Sequence, residues 1–430
     1  MHTFDLNLER ITKVEGSAAL SVSVKDDKVE TVQFRITEFK RFYTKAMRGK
    51  PIIALPQLLA RICGTCSNAH LLASIEACED ALGMGSTPQT ERLRDLVMYG
   101  LNIRDHALHI YLFSMPDIIG KDSFLEFDEN IPEEDQLLHD AFAIKAAGNH
   151  LATIIAGRSV HGLYPTIGGF LRFPTQDEVK TAIGKLNEGR PAVLRLIAFL
   201  KDRSFTFERE TNYVALRPER YGFRNGCLST AEGVCLPETA FADFFERVAL
   251  PYSQATGFTH AGKEYMVGAL SRMNLNKDAL HPRTKESAKD ALALFPSKNI
   301  YFNNLAQAIE ILHSVDDALE LLETHEIKPE PLVKGNPREA TGIGIVEAPR
   351  GTLLHKVTID AKSIVTGGEI VVPTGQNQIN IEKDIAVLVG GLLETMPKEK
   401  IEFEMEKLIR AYDPCMSCAA HFLKVKWSVS

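Results

Sequence analysis

The 430-residue sequence predicts an α+β fold that is predominantly α-helical, with a β-rich hairpin region near each end of the chain beside a bundle of long helices. Apolar residues recur at helical spacing through most of the chain, whereas residues 17–36 and 342–373 carry strand-like patterns. No internal repeat, low-complexity run or flexible linker separates these parts. We therefore expect one interwoven domain over residues 1–430.

The stretch 17–36 predicts a β-hairpin, because apolar residues occupy alternate positions on both sides of the polar turn Lys25–Lys28. The second β-rich stretch, 342–373, is expected to pair with this hairpin. Glu15 and Gly16 directly precede the hairpin. Taken alone, Glu15 is most simply a solvated acid at a strand edge.

Helical spacing predicts the longer elements. The first helix begins near residue 70, which places His70 in its first turn. Thr175 and Glu178 form a capping-box pattern for a helix that runs to about residue 203 and is interrupted at Pro191. Further helices are expected near residues 90–115, 135–157, 238–256, 283–295, 301–325, 380–393 and 399–411.

The segments Arg61–His70 and Asp413–His421 each contain a CxxC pair followed by a histidine. The two pairs lie 352 residues apart, whereas the pairs of a zinc ribbon are separated by roughly 15–20 residues. Thioredoxin-like redox chemistry needs only one pair, in a βαβ setting that is not predicted here. Four thiolates select nickel, copper(I), zinc or an iron–sulfur cluster over magnesium or calcium. The spacing therefore predicts that folding joins the pairs around one soft metal.

Composition narrows the remaining functions. The net charge of −7, with acids and bases interspersed, does not indicate a nucleic-acid partner. No apolar run approaches the roughly 20 residues that span a membrane, and the N-terminus lacks a signal-peptide pattern, so a cytoplasmic protein is expected. Cys227 and Cys235 fall in the stretch 210–236, expected to be irregular, and are interpreted as buried or incidental thiols.

The residues around the CxxC pairs resemble the large, catalytic subunit of nickel–iron hydrogenases. The resemblance covers essentially the whole chain and is greatest to the cytosolic multi-subunit branch, the sulfhydrogenase-like and cofactor-reducing enzymes. It implies their large-subunit fold, which is related to the quinone-module subunit of respiratory complex I. The matching segments besides the two CxxC motifs are 10–16, 105–112, 158–161, 347–351, 372–377 and 410–415.

The resemblance implies a role for each cysteine of the two pairs. Cys63 and Cys415 would be terminal ligands of nickel. Cys66 and Cys418 would bridge nickel to an iron that also carries carbon monoxide and two cyanides. His70 would hydrogen-bond a bridging thiolate and tune the metal from behind its ligands.

The resemblance also assigns residues around the metals. Arg350 would lie over the open metal position, and Pro349, directly before it, would contact the cofactor. Asp105 and Asp413 would hold the guanidinium of Arg350 through charge-assisted hydrogen bonds. The family places two more residues beside the ligands: Thr374 would donate to a cyanide, and Glu15 would carry protons away from a terminal cysteine.

One position departs from the family pattern. Thr44 lies nineteen residues before Cys63, where the family commonly has a glutamate that reaches an additional magnesium or iron ion. The other ligands that the family implies for that ion, His421 and the backbone carbonyl of Ile370, are present. A hydroxyl replaces a carboxylate poorly on a hard dication, so the resemblance leaves this ion open.

The implied reaction is the reversible heterolytic cleavage of dihydrogen. Its implied partners are an iron–sulfur small subunit, further electron-transfer subunits, a maturation chaperone and a protease that removes residues 422–430. Two alternatives are a metal-free homologue acting as an interaction module and a structural zinc scaffold. The electron acceptor, whether NAD(P), a deazaflavin, ferredoxin or a thiol/disulfide system, is not encoded in any motif of this chain.

Overall fold

The computed structural model describes residues 3–39, 41–203, 205–237 and 240–420. The α-helices in this part of the chain are α1 Tyr43–Ala46, α2 Leu55–Leu59, α3 Ser67–Leu82, α4 Pro88–Leu108, α5 Met115–Ile119, α6 Pro132–Ala156, α7 Gln176–Asp202, α8 Phe241–Phe244, α9 Ala269–Asn276, α10 Pro282–Ser287, α11 Lys289–Leu292, α12 Phe302–Thr324, α13 Pro373–Leu392, α14 Lys398–Ala411 and α15 Met416–Ala419. The strands are β1 Phe4–Leu8, β2 Ala18–Lys25, β3 Lys28–Ile36, β4 Pro165–Thr166, β5 Gly169–Phe170, β6 Asn212–Arg217, β7 Cys227–Thr230, β8 Cys235–Leu236, β9 Glu246–Ala249, β10 Thr256–Thr259, β11 Tyr265–Met266, β12 Ala340–Ala348, β13 Gly351–Ile359 and β14 Val365–Val371.

Four long helices, α4, α6, α7 and α12, pack together as the centre of the molecule. The helices α4 and α6 approach at backbone distance, because a Cβ atom at Gly100 would lie 2.8 Å from the nitrogen of Ala152. After α4 the chain continues as a π-helical turn, His109–Ser114, a rare form that often occurs near functional sites. No helix in the described ranges combines the length and apolar content needed to cross a membrane.

The two β-rich regions form separate three-stranded sheets. The hairpin β2–β3 is confirmed, with a turn at Asp26 and Asp27, whose φ angles are 49° and 62°. The expected pairing between the two regions is wrong: β1–β2–β3 and β12–β13–β14 are independent antiparallel sheets. Each sheet packs instead against a helix, β3 against α13 and β12 against α3. The predominantly helical α+β prediction is confirmed.

Three further element predictions need correction. The capping box at Thr175 is present, but α7 continues through Pro191 because buried residues on both sides, Leu186 and Val193, keep one helix axis in the core. In place of the helix predicted at 238–256, the described residues 240–256 contain the short α8 and then β9, which pairs with β10. The predicted helix at 283–295 is divided into α10 and α11.

The stretch 210–236 is also more regular than predicted. Strands β6, β7 and β8 join β11 in a four-stranded sheet. Because β7 and β8 form a hairpin, Cys227 and Cys235 are brought together and form a disulfide with a Cα–Cα distance of 5.4 Å. Their interpretation as unpaired thiols is therefore wrong.

Candidate metal centre

The two CxxC pairs meet in one buried pocket. The Sγ atoms of Cys63 and Cys415 are 3.5 Å apart, and those of Cys66 and Cys418 are 3.1 Å apart. All four sulfurs lie within 4.8 Å of one another. Each pair spans the start of a helix, α3 after Cys66 and α15 after Cys415. The two CxxC segments thereby form a single set of soft ligands.

The protonation of these sulfurs indicates that the pocket suits a cation. Hydrogen bonds from neighbouring thiols, first that of Cys415, lower the pKa of Cys63. Burial raises the pKa of Cys415 and of Cys418 well above its usual value. Without a metal, burial therefore favours the protonated thiol at most of these cysteines. Four thiolates need a positively charged metal beside them. The four buried cysteines therefore fit a pair of soft metal ions.

Arg350 lies at the turn between β12 and β13, directly after Pro349. Its Nη1 donates to Oδ2 of Asp105 at 2.7 Å, and its Nη2 lies 2.9 Å from Oδ1 of Asp413. Burial alone would lower the pKa of Arg350, but these two carboxylates raise it well above its usual value, so the group stays a guanidinium. Nε of Arg350 and Oδ1 of Asp105 have no hydrogen-bond partner among the described residues.

Asp413 is held in an unusual backbone conformation, with a φ angle of 52°, in the left-handed region that aspartate tolerates better than most residues. Its second carboxylate oxygen accepts a hydrogen bond from Nε2 of Gln307 at 3.0 Å. The Gln307 amide in turn lies 2.6 Å from Nδ1 of His109, in the π-helical turn. The turn after α4 therefore helps to fix the carboxylate that holds Arg350.

Glu15 lies against Cys415 and is half-buried. The Sγ atom of Cys415 donates to Oε2 of Glu15 at 2.9 Å, and the backbone nitrogen of Met416 donates to the Glu15 carbonyl at 2.9 Å. A Cβ atom at Gly16 would lie 2.8 Å from Cβ of Met416, so only glycine permits this approach. Glu15 is thus a neighbour of the cysteine cluster and not a solvated strand-edge acid.

His70 and Thr374 complete the pocket. Nε2 of His70, in the first turn of α3, is 3.6 Å from Sγ of Cys418, and burial lowers the pKa of His70 to about 4. Oγ1 of Thr374 accepts from the backbone nitrogen of Cys415 at 2.9 Å, which leaves its own proton free to donate elsewhere. The cavity between these groups is lined by Cys66, His70, Ala348, Arg350, Leu353, Pro373, Thr374, Cys415 and Cys418.

The structure describes two of the three positions expected to hold an additional dication. Thr44 lies half-buried in α1, Ile370 is buried in β14, and His421 lies outside the described residues. In the described ranges, the only clusters of three or more potential metal-binding side chains are the four cysteines and the group His281, Asp317 and Glu320. Neither supplies a carboxylate to Thr44.

Three residues at the centre were missed by the sequence reasoning. Nη2 of Arg41 donates to the carbonyls of Ile62 and Ser417 at 2.9 and 2.7 Å, so one guanidinium ties the two CxxC segments together. Arg272 supports the chain next to Arg350, and His355 contacts His70. An arginine or histidine outside a motif carries no spacing signal that would have revealed these contacts.

The helical core, the two separate three-stranded sheets and a buried set of four cysteines fit a metal-dependent redox enzyme. The chain belongs to the nickel-dependent hydrogenase family, whose model matches residues 43–137 and 251–421. It is a hydrogenase large subunit, an oxidoreductase acting on hydrogen, of the kind that works with small or other electron-transfer subunits. The interaction-module and zinc-scaffold alternatives are not favoured.

Individual relatives agree with this assignment. Sulfhydrogenase 2 subunit alpha of Pyrococcus furiosus is 30% identical over 98% of this chain and 100% of that protein. NAD-reducing hydrogenase HoxS subunit beta of Cupriavidus necator is 27% identical over 97% of this chain and 95% of that protein. A crystal structure of an NAD⁺-reducing [NiFe]-hydrogenase in the H2-reduced state covers 98% of this chain and 100% of its own, with a TM-score of 0.87 and 21% identity. That likeness supports the fold.

Proposed function

We propose that the four cysteines hold a nickel–iron centre at which dihydrogen is cleaved heterolytically and reversibly. In this proposal Cys63 and Cys415 would hold nickel alone, and Cys66 and Cys418 would hold both nickel and an iron that carries carbon monoxide and two cyanides. The observation that carries the proposal is the set of four buried sulfurs within 4.8 Å of one another, beside the charged Arg350, whose field acts on Cys63.

When bound at the four cysteines, the metal pair would supply the Lewis acidity and the electron-pair acceptor that heterolysis of dihydrogen needs. The chain handles the proton. Because its carboxylate partners keep Arg350 charged, the thiolate of Cys415 is the better base. The proton then passes from Sγ of Cys415 to Oε2 of Glu15 across the observed 2.9 Å contact. Glu15 is half-buried and leads this path towards solvent.

Arg350 serves as a fixed positive charge beside the substrate. Two carboxylates orient its plane, and its Nε, which has no partner among the described residues, remains available to the reacting molecule. Thr374 would donate its remaining proton to a cyanide, and Pro349 directly precedes Arg350 in the turn between β12 and β13. The Pro349 carbonyl is held by Arg272 at 3.0 Å, so the turn that carries Arg350 is rigid.

Electrons leave through another subunit. Of the seven cysteines, four form the centre, two form the disulfide and Cys78 is buried alone. None remains for an iron–sulfur cluster, which supports an iron–sulfur small subunit as partner. Some relatives are named for a cofactor that they reduce or do not reduce, NAD or F420; in this proposal the partner subunits set the acceptor. A cytoplasmic location, a maturation chaperone and proteolytic removal of residues 422–430 belong to this proposal through the family resemblance alone.

Metal analysis of the mature subunit tests the proposal. Nickel and iron at one atom each per chain are expected, with magnesium well below one because Thr44 offers no carboxylate. Zinc in place of nickel would support the scaffold alternative, and a protein free of metal would support the interaction module. Either result would overturn the proposed function.

A further inference from the structure

A second buried histidine stands behind His70. His355 lies in β13, the central strand of its sheet, and is 0% exposed. Its Nε2 is 3.1 Å from Nδ1 of His70, while Nε2 of His70 is 3.6 Å from Sγ of Cys418. The two imidazoles and the sulfur therefore form a chain of polar contacts that leads to a cysteine of the metal pocket.

The position of one proton decides whether this series of polar contacts ends in a hydrogen bond to Cys418. Two ring nitrogens 3.1 Å apart need a proton between them, because facing lone pairs repel. A neutral imidazole has one donor and one acceptor nitrogen. If His70 supplied the proton through Nδ1, its Nε2 would present a lone pair to Cys418. If His355 supplies it, Nε2–H of His70 is directed at the sulfur.

We propose that His355 is a positioning residue, whose Nε2–H fixes His70 in the tautomer that donates to Cys418. The inference rests on the proposed role of Cys418 as a metal ligand. A hydrogen bond to a coordinating thiolate withdraws electron density from it and so tunes the metal. Because β13 is paired on both edges, by β12 and β14, its backbone holds the donor in place.

A pair of amide substitutions separates the hydrogen bond from the bulk of the ring. In His355→Gln the side-chain amide nitrogen takes the place of Nε2, whereas in His355→Asn the same amide ends one methylene short. Infrared bands of iron-bound carbon monoxide and cyanide report the electron density that the thiolates deliver. We expect His355→Gln to keep the wild-type bands. In His355→Asn the carbon monoxide band should move to lower wavenumber and nickel retention should fall by about 10-fold or more.

A second background shows whether His355 acts through His70. In His70→Leu, adding His355→Asn should leave the bands where His70→Leu alone puts them. His313→Asn, which changes another buried histidine, controls for general loosening of the core and should leave the bands unchanged. An equal shift from His355→Asn in both backgrounds, or His355→Gln behaving like His355→Asn, would overturn the inference. Absence of the bands from the wild-type protein would instead overturn the proposed function.

Discussion

Arg272 and Arg350 are both buried and both lie between two carboxylates, but their hydrogen bonding differs. Arg272 donates five hydrogen bonds: two to Glu310 at 2.6 and 2.7 Å, one to Glu347 at 2.8 Å, and one each to the carbonyls of residues 348 and 349 at 3.1 and 3.0 Å. Each of its nitrogens is therefore satisfied. Such a guanidinium has no donor left for a substrate.

Arg350 is held by fewer contacts. Asp105 and Asp413 orient its two terminal nitrogens, while Nε is buried without a partner among the described residues. An unsatisfied buried donor is unusual in a folded protein and calls for an explanation. The comparison teaches that the two arginines differ in saturation: Arg272 fixes the chain that precedes Arg350, and Arg350, which lines the cysteine pocket, keeps a donor for the reaction.

The largest expected effect comes from removing a sulfur at the site. We expect Cys415→Ser to abolish nickel retention and with it all turnover, because an alcohol is a far poorer ligand for nickel than a thiolate. Cys78→Ser provides the matched control, since Cys78 is equally buried but outside the cluster, and should keep its nickel. Elemental analysis of both purified variants measures their nickel content. Nickel retained in Cys415→Ser would contradict the assignment of Cys415 as a ligand.

Exchanging each arginine for lysine tests the comparison itself. Arg350→Lys should keep the metals and lose about 10²–10³-fold in turnover, because an ammonium cannot be oriented by two carboxylates as a planar fork is. Arg272→Lys should lower the free energy of unfolding by about 3–5 kcal/mol, because it breaks a buried ion-pair network. Turnover is measured with dihydrogen and a dye, and stability by denaturant unfolding.

The test compares the turnover and the stability of the two variants. If Arg350→Lys lost stability as Arg272→Lys does, or kept full turnover, the distinction between scaffold and site would be wrong.

A smaller effect is expected at the proton path. Glu15→Gln should retain nickel and iron but slow the exchange of dihydrogen with D₂O by on the order of 10²-fold, because the amide cannot accept the proton from Cys415. Mass spectrometry of the evolved HD measures this rate. Glu406→Gln, a change at a carboxylate that bonds Arg410, is the control. Exchange at the wild-type rate in Glu15→Gln would remove Glu15 from the path.

The smallest effect concerns acid stability of the scaffold. Burial alone would raise the pKa of Glu310, but Arg272 holds it at about 2, below the ordinary value of 4.5. Glu310 therefore contributes stability above about pH 4.5, and this contribution is lost as the pH falls towards 2. Thermal unfolding at about pH 5 and about pH 3 should show a smaller drop in Tm for Glu310→Gln than for the wild type. Equal drops would contradict this role of Arg272.

The residues of the site could be predicted from the sequence, whereas most of the residues that support them could not. The four cysteines, Arg350 and Glu15 stand in motifs, because metal chemistry requires particular residue types at particular spacings. The helical spacing of apolar residues located the long helices beside them. Their supports, Arg272, Arg41 and His355, act through contacts between residues distant in the chain, and no local pattern marks them.

The same limit explains the errors in the fold. Strands β6 to β10 contain only two to six residues each, which is too few for a clear period. The disulfide between Cys227 and Cys235 depends on a hairpin that was not predicted. The two β-rich regions were expected to pair, but the helices that cover them, α3 and α13, decide their neighbours.

The infrared spectrum of the purified, mature protein tests the central claim most directly, because no side chain absorbs where metal-bound carbon monoxide and cyanide do. One carbon monoxide band and two cyanide bands are predicted, and Cys415→Ser should lack the set that belongs to the assembled nickel–iron centre. A nickel-containing protein without these bands would contradict the assignment of the four cysteines to a nickel–iron site.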